Sequence, residues 1–298
     1  MRAVLGCATL LLLTVLCGGW AAWGAGAAVV RWVAGAGALE WRASAGWLPI
    51  TRDQARRRDW RQEHAFLAAP WEETAPGLDT AELSLRRPPN PLEVGVFLAR
   101  VDPARWRFRV WGRADFRPGA VSDLADEAGL ALAVNASYFA EEGPLGLVVS
   151  DGVARGRQGR SRAAHFVVPK GGAPRVINEK EAVLPPLEQG FQGFPAVMTG
   201  GRTYGYLRYG GRGFDIDAVE RRSAACVLRD GRVLLLATDS LTGGLSLREL
   251  ATVLGGLGCV DAMAFDGGSS TGLSSRLGAG RTIPNLKPVP VIVGVSPK

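Results

Sequence analysis

AFDGGSSTG, Ala264 to Gly272, is the stretch on which the reading of this chain turns. It closes the run Val260 to Phe265 with an acidic residue, two glycines and a row of hydroxyls. A strand that ends in Asp-Gly-Gly-Ser sets a carboxylate at a sheet edge beside bare backbone N–H groups. Glycine lets that backbone approach a ligand closely and adopt φ > 0. Oxygen-rich ligands such as sugars and phosphates suit a pocket of this kind. Taken alone, the stretch also reads as a tight turn whose aspartate bonds its own backbone.

Upstream, two segments share one plan. In the first, Ser122 caps a short helix to Ala128, Gly129 ends it, Leu130 to Val134 form a strand and polar Asn135 follows. In the second, Ser246 caps a helix to Leu257, Gly258 ends it, Cys259 to Phe265 form a strand and Asp266 follows. Each plan delivers a polar side chain to the C-terminal end of a buried strand, where open α/β sheets place ligands. Ser246 and Glu249 make a capping box, with Leu245 and Leu250 at the staple positions. Glu249 therefore has a structural reading, satisfying the helix N-terminus, beside a catalytic one.

Forty glycines and many short apolar runs favour strands and turns. Leu92 to Leu98 and Arg105 to Trp111 alternate as strands around the turn Asp102-Pro103. Asp151-Gly152 and Asp230-Gly231, each between Val/Leu runs, mark hairpins. The expected fold is α+β: a mainly β core with a few packed helices in a single catalytic-type domain over residues 92–298. Residues 32–91 read as a connecting region, with a short helix over Ala55 to Leu67.

Ala3 to Val30 carries no charge and is flanked by Arg2 and Arg31. It is long enough to span a bilayer, and its small residues Ala25 and Ala27 also suit a signal-peptide cleavage site. Residues 1–31 are thus a signal peptide or a membrane anchor, and the chain is exported: periplasmic, extracellular or anchored to the membrane. Net charge is +7, but the five arginines between Arg52 and Arg61 lack an aromatic ladder or a nucleic-acid motif, so no nucleic-acid partner is expected. Arg155, Arg157, Arg160 and Arg162 read as a solvated loop, or as one that attracts a polyanion. With only His64 and His165, a histidine metal site or a Ser-His-Asp triad finds little material. No cofactor is evident and no metal ligand is assigned; a divalent metal stays open. Cys226 and Cys259 match no zinc pattern. They could bridge in an oxidising compartment, but two buried free thiols are the preferred reading.

Six segments in order, VNASYF (Val134 to Phe139), PLGLVVSDG (Pro144 to Gly152), ERRSAACVLRDG (Glu220 to Gly231), LLLATDS (Leu234 to Ser240), GLSLRELATVLGGLG (Gly244 to Gly258) and AFDGGSS, resemble the phosphodiester glycosidase family. The family includes bacterial envelope proteins often labelled exopolysaccharide-related. Where it usually reads Asn-Gly-Gly, this chain has Asn135-Ala136-Ser137, and Ser269 replaces a third glycine after the aspartate. A side chain at either place narrows the pocket or adds a hydroxyl.

The resemblance implies a hydrolase that cleaves a sugar-1-phosphodiester in a phosphate-linked envelope glycan or glycolipid. Such cleavage builds positive charge on the sugar ring, which carboxylates answer. Asp266 is the first candidate, Asp239 the second and Glu249 the third. Arg222 is the candidate phosphate contact; as the neighbour of Arg221 it also reads as a surface arginine. Asn135 would hold a sugar hydroxyl or a water, or simply end its strand. Gly267, Gly268 and Ser270 would supply donors. Tyr138 and Phe139 could stack on a sugar, although adjacent strand residues face opposite sides and core packing of one is expected. The alternatives are a non-catalytic glycan-binding or exopolysaccharide-assembly protein, and a phosphodiesterase that cuts P–O.

Overall fold

A computed structural model describes residues 39–43, 46–49, 68–89, 92–159, 164–178, 183–204, 215–240 and 243–298. The expected signal or anchor at 1–31, the helix at 55–67, and Arg160 and Arg162 lie outside the described residues. Among those residues the architecture is mainly β, with α-helices at Val121–Glu127 and Leu247–Gly256.

The largest sheet grows around Val233–Asp239, whose sequence is VLLLATD. Side chains alternate faces along a strand. Leu234 and Leu236 enter one core cluster, while Val233, Leu235 and Ala237 enter another. Cover on both faces explains the unbroken apolar run. This strand pairs antiparallel with Ser223–Leu228 and Glu93–Val101. Ser223–Leu228 pairs in turn with Cys259–Ala264. All registered pairings here are antiparallel, so the ligand-placing logic of open parallel sheets does not transfer.

The sheet extends upstream of residue 92. Leu78–Arg86, 9 residues long, pairs along its length with Glu93–Val101. Glu40–Ala43, Gly46–Pro49 and Glu72–Ala75 join the same 10-stranded sheet. The stretch read as a connector thus supplies strands, because Ala81, Leu83 and Leu85 repeat with period 2 into one core cluster while Leu78 is buried in the cluster on the other face.

Two 5-stranded sheets share a core with it. One runs Arg281–Ile283, Leu273–Ser275, Leu132–Asn135, Ile292–Pro297, Trp106–Trp111. The other contains Ala164–Pro169 and Leu187–Gly193 at its centre. A chain of rings links them: Phe108 to Phe166 at 5.8 Å, Phe166 to Phe191 at 6.0 Å, and Phe191 edge-on to Phe265 at 5.0 Å. Buried aromatic pairs of this kind add about 1 kcal/mol each beyond area burial. The last ring immediately precedes Asp266.

The Leu247–Gly256 helix carries the expected capping box and buries Leu247, Leu250 and Leu254 on the outer face of the large sheet. The Val121–Glu127 helix departs from expectation: its N-cap is Ala120, and Ser122 makes no cap. The Val121 N–H instead donates to Asn285 Oδ1 at 2.9 Å. Gly129, at φ 68°, ends the helix as expected. Cys226 and Cys259 form a disulfide, against the preferred free-thiol reading; the pairing of their strands brings the two side chains together.

His165 is fully buried, and neither ring nitrogen has a hydrogen-bond partner; the Ile177 backbone alongside completes no hydrogen bond with it. Burial holds its pKa below the ordinary histidine value. The unfolded chain therefore binds a proton near pH 6.5 that the folded one refuses, and stability falls as pH drops below that value. Carboxylates such as Asp151, held low by the Arg109 hydrogen bond, lose their contribution only at more acid pH. We expect Tm to decline between pH 7 and 5 by up to about 1.4 kcal/mol of stability per pH unit, and His165→Leu to flatten that slope in a pH series of thermal melts.

Candidate active site

Two strand ends from different sheets meet at Asp266. Its backbone carbonyl accepts from Asn135 Nδ2 at 2.6 Å and from Ser223 Oγ at 3.2 Å. Its N–H donates to the Ala136 carbonyl at 3.1 Å. Asn135 Oδ1 accepts from the Gly272 N–H at 3.2 Å. One side chain thus clasps both ends of the loop 266–272, which explains why Asn135 is wholly buried. Between them, Gly268–Ser270 forms a 3-10 turn. Gly268 sits at φ 60° and its N–H donates to the Arg221 carbonyl at 2.8 Å. A Cβ on Gly267 would lie 3.0 Å from that carbonyl and 3.4 Å from Arg222 Nη1. Glycine here permits close packing of the loop on Arg221 and Arg222.

The Asp266 carboxyl is half-buried. Burial pushes its pKa up; the Ser270 hydroxyl, the Lys287 charge and the Gly267 backbone oppose that, and Glu220 adds to it. The Tyr138 phenol is pushed up mainly by burial and then by the Asp266 charge, so it stays a neutral donor. Neither Tyr138 nor Phe139 is fully buried. Phe139 lies against the cluster around Val121 and Leu124, with Lys287 Nζ 4.6 Å from its ring centroid.

Arg222 is not a surface arginine. It is 2% exposed, with Nε donating to the Leu245 carbonyl at 2.8 Å and Nη2 to the Ala218 carbonyl at 2.7 Å. Nη1 lies 3.5 Å from Glu220 Oε2. Its neighbour Arg221 is also buried and donates from Nη2 to the Pro284 carbonyl at 2.8 Å.

The other two predicted carboxylates lie in ion pairs. Asp239 Oδ2 accepts from Arg281 Nη2 at 2.7 Å. Glu249 accepts from the Ser246 N–H at 2.8 Å and takes a forked bond from Arg87, at 2.7 and 2.6 Å. Arg155, expected in a solvated loop, donates to the Arg113 carbonyl at 3.1 Å and stacks on Phe116.

The structure therefore gathers Asn135, Tyr138, Arg222, Asp266, Gly267, Gly268 and Ser270, and adds Glu220 and Lys287, which sequence reasoning missed. Glu220 opens a quoted motif, so its proximity to Arg222 was a usable signal. Lys287 lies outside every motif; its N–H reaches the site through the Ser269 carbonyl at 2.9 Å. Among the described residues, no three His, Cys, Asp or Glu side chains group as metal donors. Carboxyls, buried donors and cations side by side suit an oxygen-rich anionic ligand.

The phosphodiester glycosidase profile matches residues 128–296. No curated protein sequence matches the chain. Among solved structures, the zebrafish N-acetylglucosamine-1-phosphodiester alpha-N-acetylglucosaminidase catalytic domain, auto-inhibited by its pro-peptide, is 18% identical with a TM-score of 0.62, covering 78% of this chain and 87% of that one. A hypothetical protein from Synechocystis is 16% identical with a TM-score of 0.58; the match covers 78% of this chain but only 64% of the Synechocystis chain. At these identities the likeness is one of fold.

Two substitutions test the scaffold. Asn135→Ala leaves the Gly272 N–H without its acceptor and should cost about 2 kcal/mol, read as a Tm drop of roughly 5 °C. Glu249→Ala strands the Arg87 guanidinium and should cost about 3 kcal/mol in a denaturant titration. Unchanged stability in either case would remove the structural role assigned to that side chain.

Proposed function

The chain belongs to the phosphodiester glycosidase family, and on that premise we propose that it hydrolyses a sugar-1-phosphodiester by breaking the bond between the anomeric carbon and the phosphate oxygen. The observation that carries this is the half-buried Asp266 carboxyl, set among a neutral phenol, the Ser270 hydroxyl and the Lys287 cation. As the bond breaks, positive charge grows on the sugar ring. Asp266 answers it as a carboxylate, by charge, by attack or by activating water. The departing phosphate is already a stable anion, so acid assistance matters little. Its charge calls instead for cationic donors, which Lys287 and Arg222 supply, while the Gly267 N–H serves the Asp266 carboxyl and the Gly268 N–H is taken by the Arg221 carbonyl. Tyr138 donates without ionising. Asp239 and Glu249 are engaged by Arg281 and Arg87, which favours Asp266 for the chemical role.

The substrate would be a phosphate-linked glycan or glycolipid of the envelope. The uncharged run Ala3 to Val30 supports export, and the Cys226–Cys259 disulfide supports an oxidising compartment.

The test is incubation with a synthetic N-acetylglucosamine-1-phosphate methyl diester in oxygen-18 water. Glycosidic cleavage puts the label on the sugar; P–O cleavage puts it on phosphate; a binding protein releases nothing. Asp266→Asn should keep the fold and slow turnover about a thousandfold. The acid limb of kcat/KM should lie above the ordinary aspartate range, because burial raises this carboxyl. Near-normal turnover by a well-folded Asp266→Asn protein would make the carboxylate structural.

A further inference from the structure

Two of the exposed large apolar residues are hydrogen-bonded through their backbone to segments of the candidate site. Leu145 is 54% exposed and Leu286 is 63% exposed. Their placement follows from backbone pairing. In the small hairpin, Phe139 pairs with Pro144 and Ala140 with Gly143. The Leu145 N–H continues that ladder by donating to the Tyr138 carbonyl at 2.7 Å. Leu145 therefore stands directly opposite Tyr138, and opposed residues in an antiparallel pair share a face. Tyr138 is the phenol that senses Asp266, Arg222 and Glu220. On the other side, the Leu286 N–H donates to the Ser269 carbonyl at 2.7 Å, within the Asp266 loop. The next residue is Lys287, whose charge reaches Asp266 and whose Nζ lies 4.6 Å from the Phe139 ring centroid. A cation that follows an exposed leucine in the chain, with a second exposed leucine opposite Tyr138, matches a ligand whose anionic group is followed by an apolar chain. A sugar beyond the phosphate would meet hydroxyl and amide partners instead, and neither leucine offers one.

We propose that Leu145 and Leu286 form a subsite for the alcohol side of the phosphodiester, and that this side is an aliphatic, lipid-like chain. The proposal rests on the reading of the site as a sugar-1-phosphodiester pocket and narrows its substrate class to glycolipids. Lys287 sits at the join, beside the phosphate, with the chain running outward along the leucines. Both side chains are solvent-exposed, so replacing them leaves the core untouched.

The experiment measures binding of two soluble probes to the full chain carrying Asp266→Asn, in which turnover is slowed about a thousandfold. The probes are the methyl and hexyl diesters of N-acetylglucosamine-1-phosphate, titrated by calorimetry below any micelle-forming concentration. Each fully buried methylene is worth about fourfold in affinity, so a partly covered hexyl chain should bind at least tenfold more tightly than methyl. Adding Leu145→Ser and Leu286→Ser together should bring that ratio below threefold. Equal binding of the two probes overturns the lipid subsite while leaving the sugar-phosphate reading intact. A preference for hexyl that survives both substitutions overturns the assignment to these leucines. Absence of binding by either probe overturns both readings together.

Discussion

Everything at the candidate site depends on one carbonyl. The Asp266 oxygen takes hydrogen bonds from Asn135, at the end of a strand in one sheet, and from Ser223, at the start of a strand in another. Burial makes both obligatory, since an unpaired buried acceptor costs about 1–3 kcal/mol. The backbone of Asp266 is therefore fixed to both sheets, which leaves its carboxyl projecting where they meet. Just upstream, Phe265 is anchored at the end of the ring chain that runs through all three sheets. The position of the carboxyl is thus set by the whole core and not by its own turn.

Around that fixed point the charges divide into two kinds. Glu249 with Arg87 is a close ion pair, and Arg281 bridges the carboxylates of Asp239 and Glu82. Asp266, Lys287 and the Arg222–Glu220 pair act at longer range around the phenol of Tyr138. The first kind holds elements together. The second leaves a carboxyl whose protonation responds to what binds beside it. Arg222 belongs partly to both, since two backbone carbonyls brace it while Nη1 turns toward Glu220.

Legibility from sequence follows the range of the interactions. The capping box of Ser246 and Glu249 spans three residues and is written locally, as are the Asp151-Gly152 and Asp230-Gly231 turns. The cap of the Val121 helix comes from Asn285, 164 residues away, so a local reading turned to the Ser122 hydroxyl as acceptor. Arg222 looked exposed because its partners, Ala218 and Leu245, are ordinary residues contributing only carbonyls. Lys287 carries no motif at all; only the folding of its segment onto Ser269 brings it to Asp266. Asn135 and Asp266 were legible as a pair through their shared place after buried strands. Their direct bond through the Asp266 backbone was not.

The strand Glu93–Val101 lies before residue 128, where the family match begins, yet its residues Gly95 to Val101 pair with the whole of Val233–Asp239. Trp106–Trp111 likewise lies upstream and borders Ile292–Pro297. A fragment cut to the matched segment would therefore leave the run VLLLATD as an open border, with its N–H and C=O groups facing water. Such a border recruits strands from other molecules. The segment the family profile matches is thus smaller than the sheet it belongs to, and any exchange of this module between proteins must carry the upstream strands along.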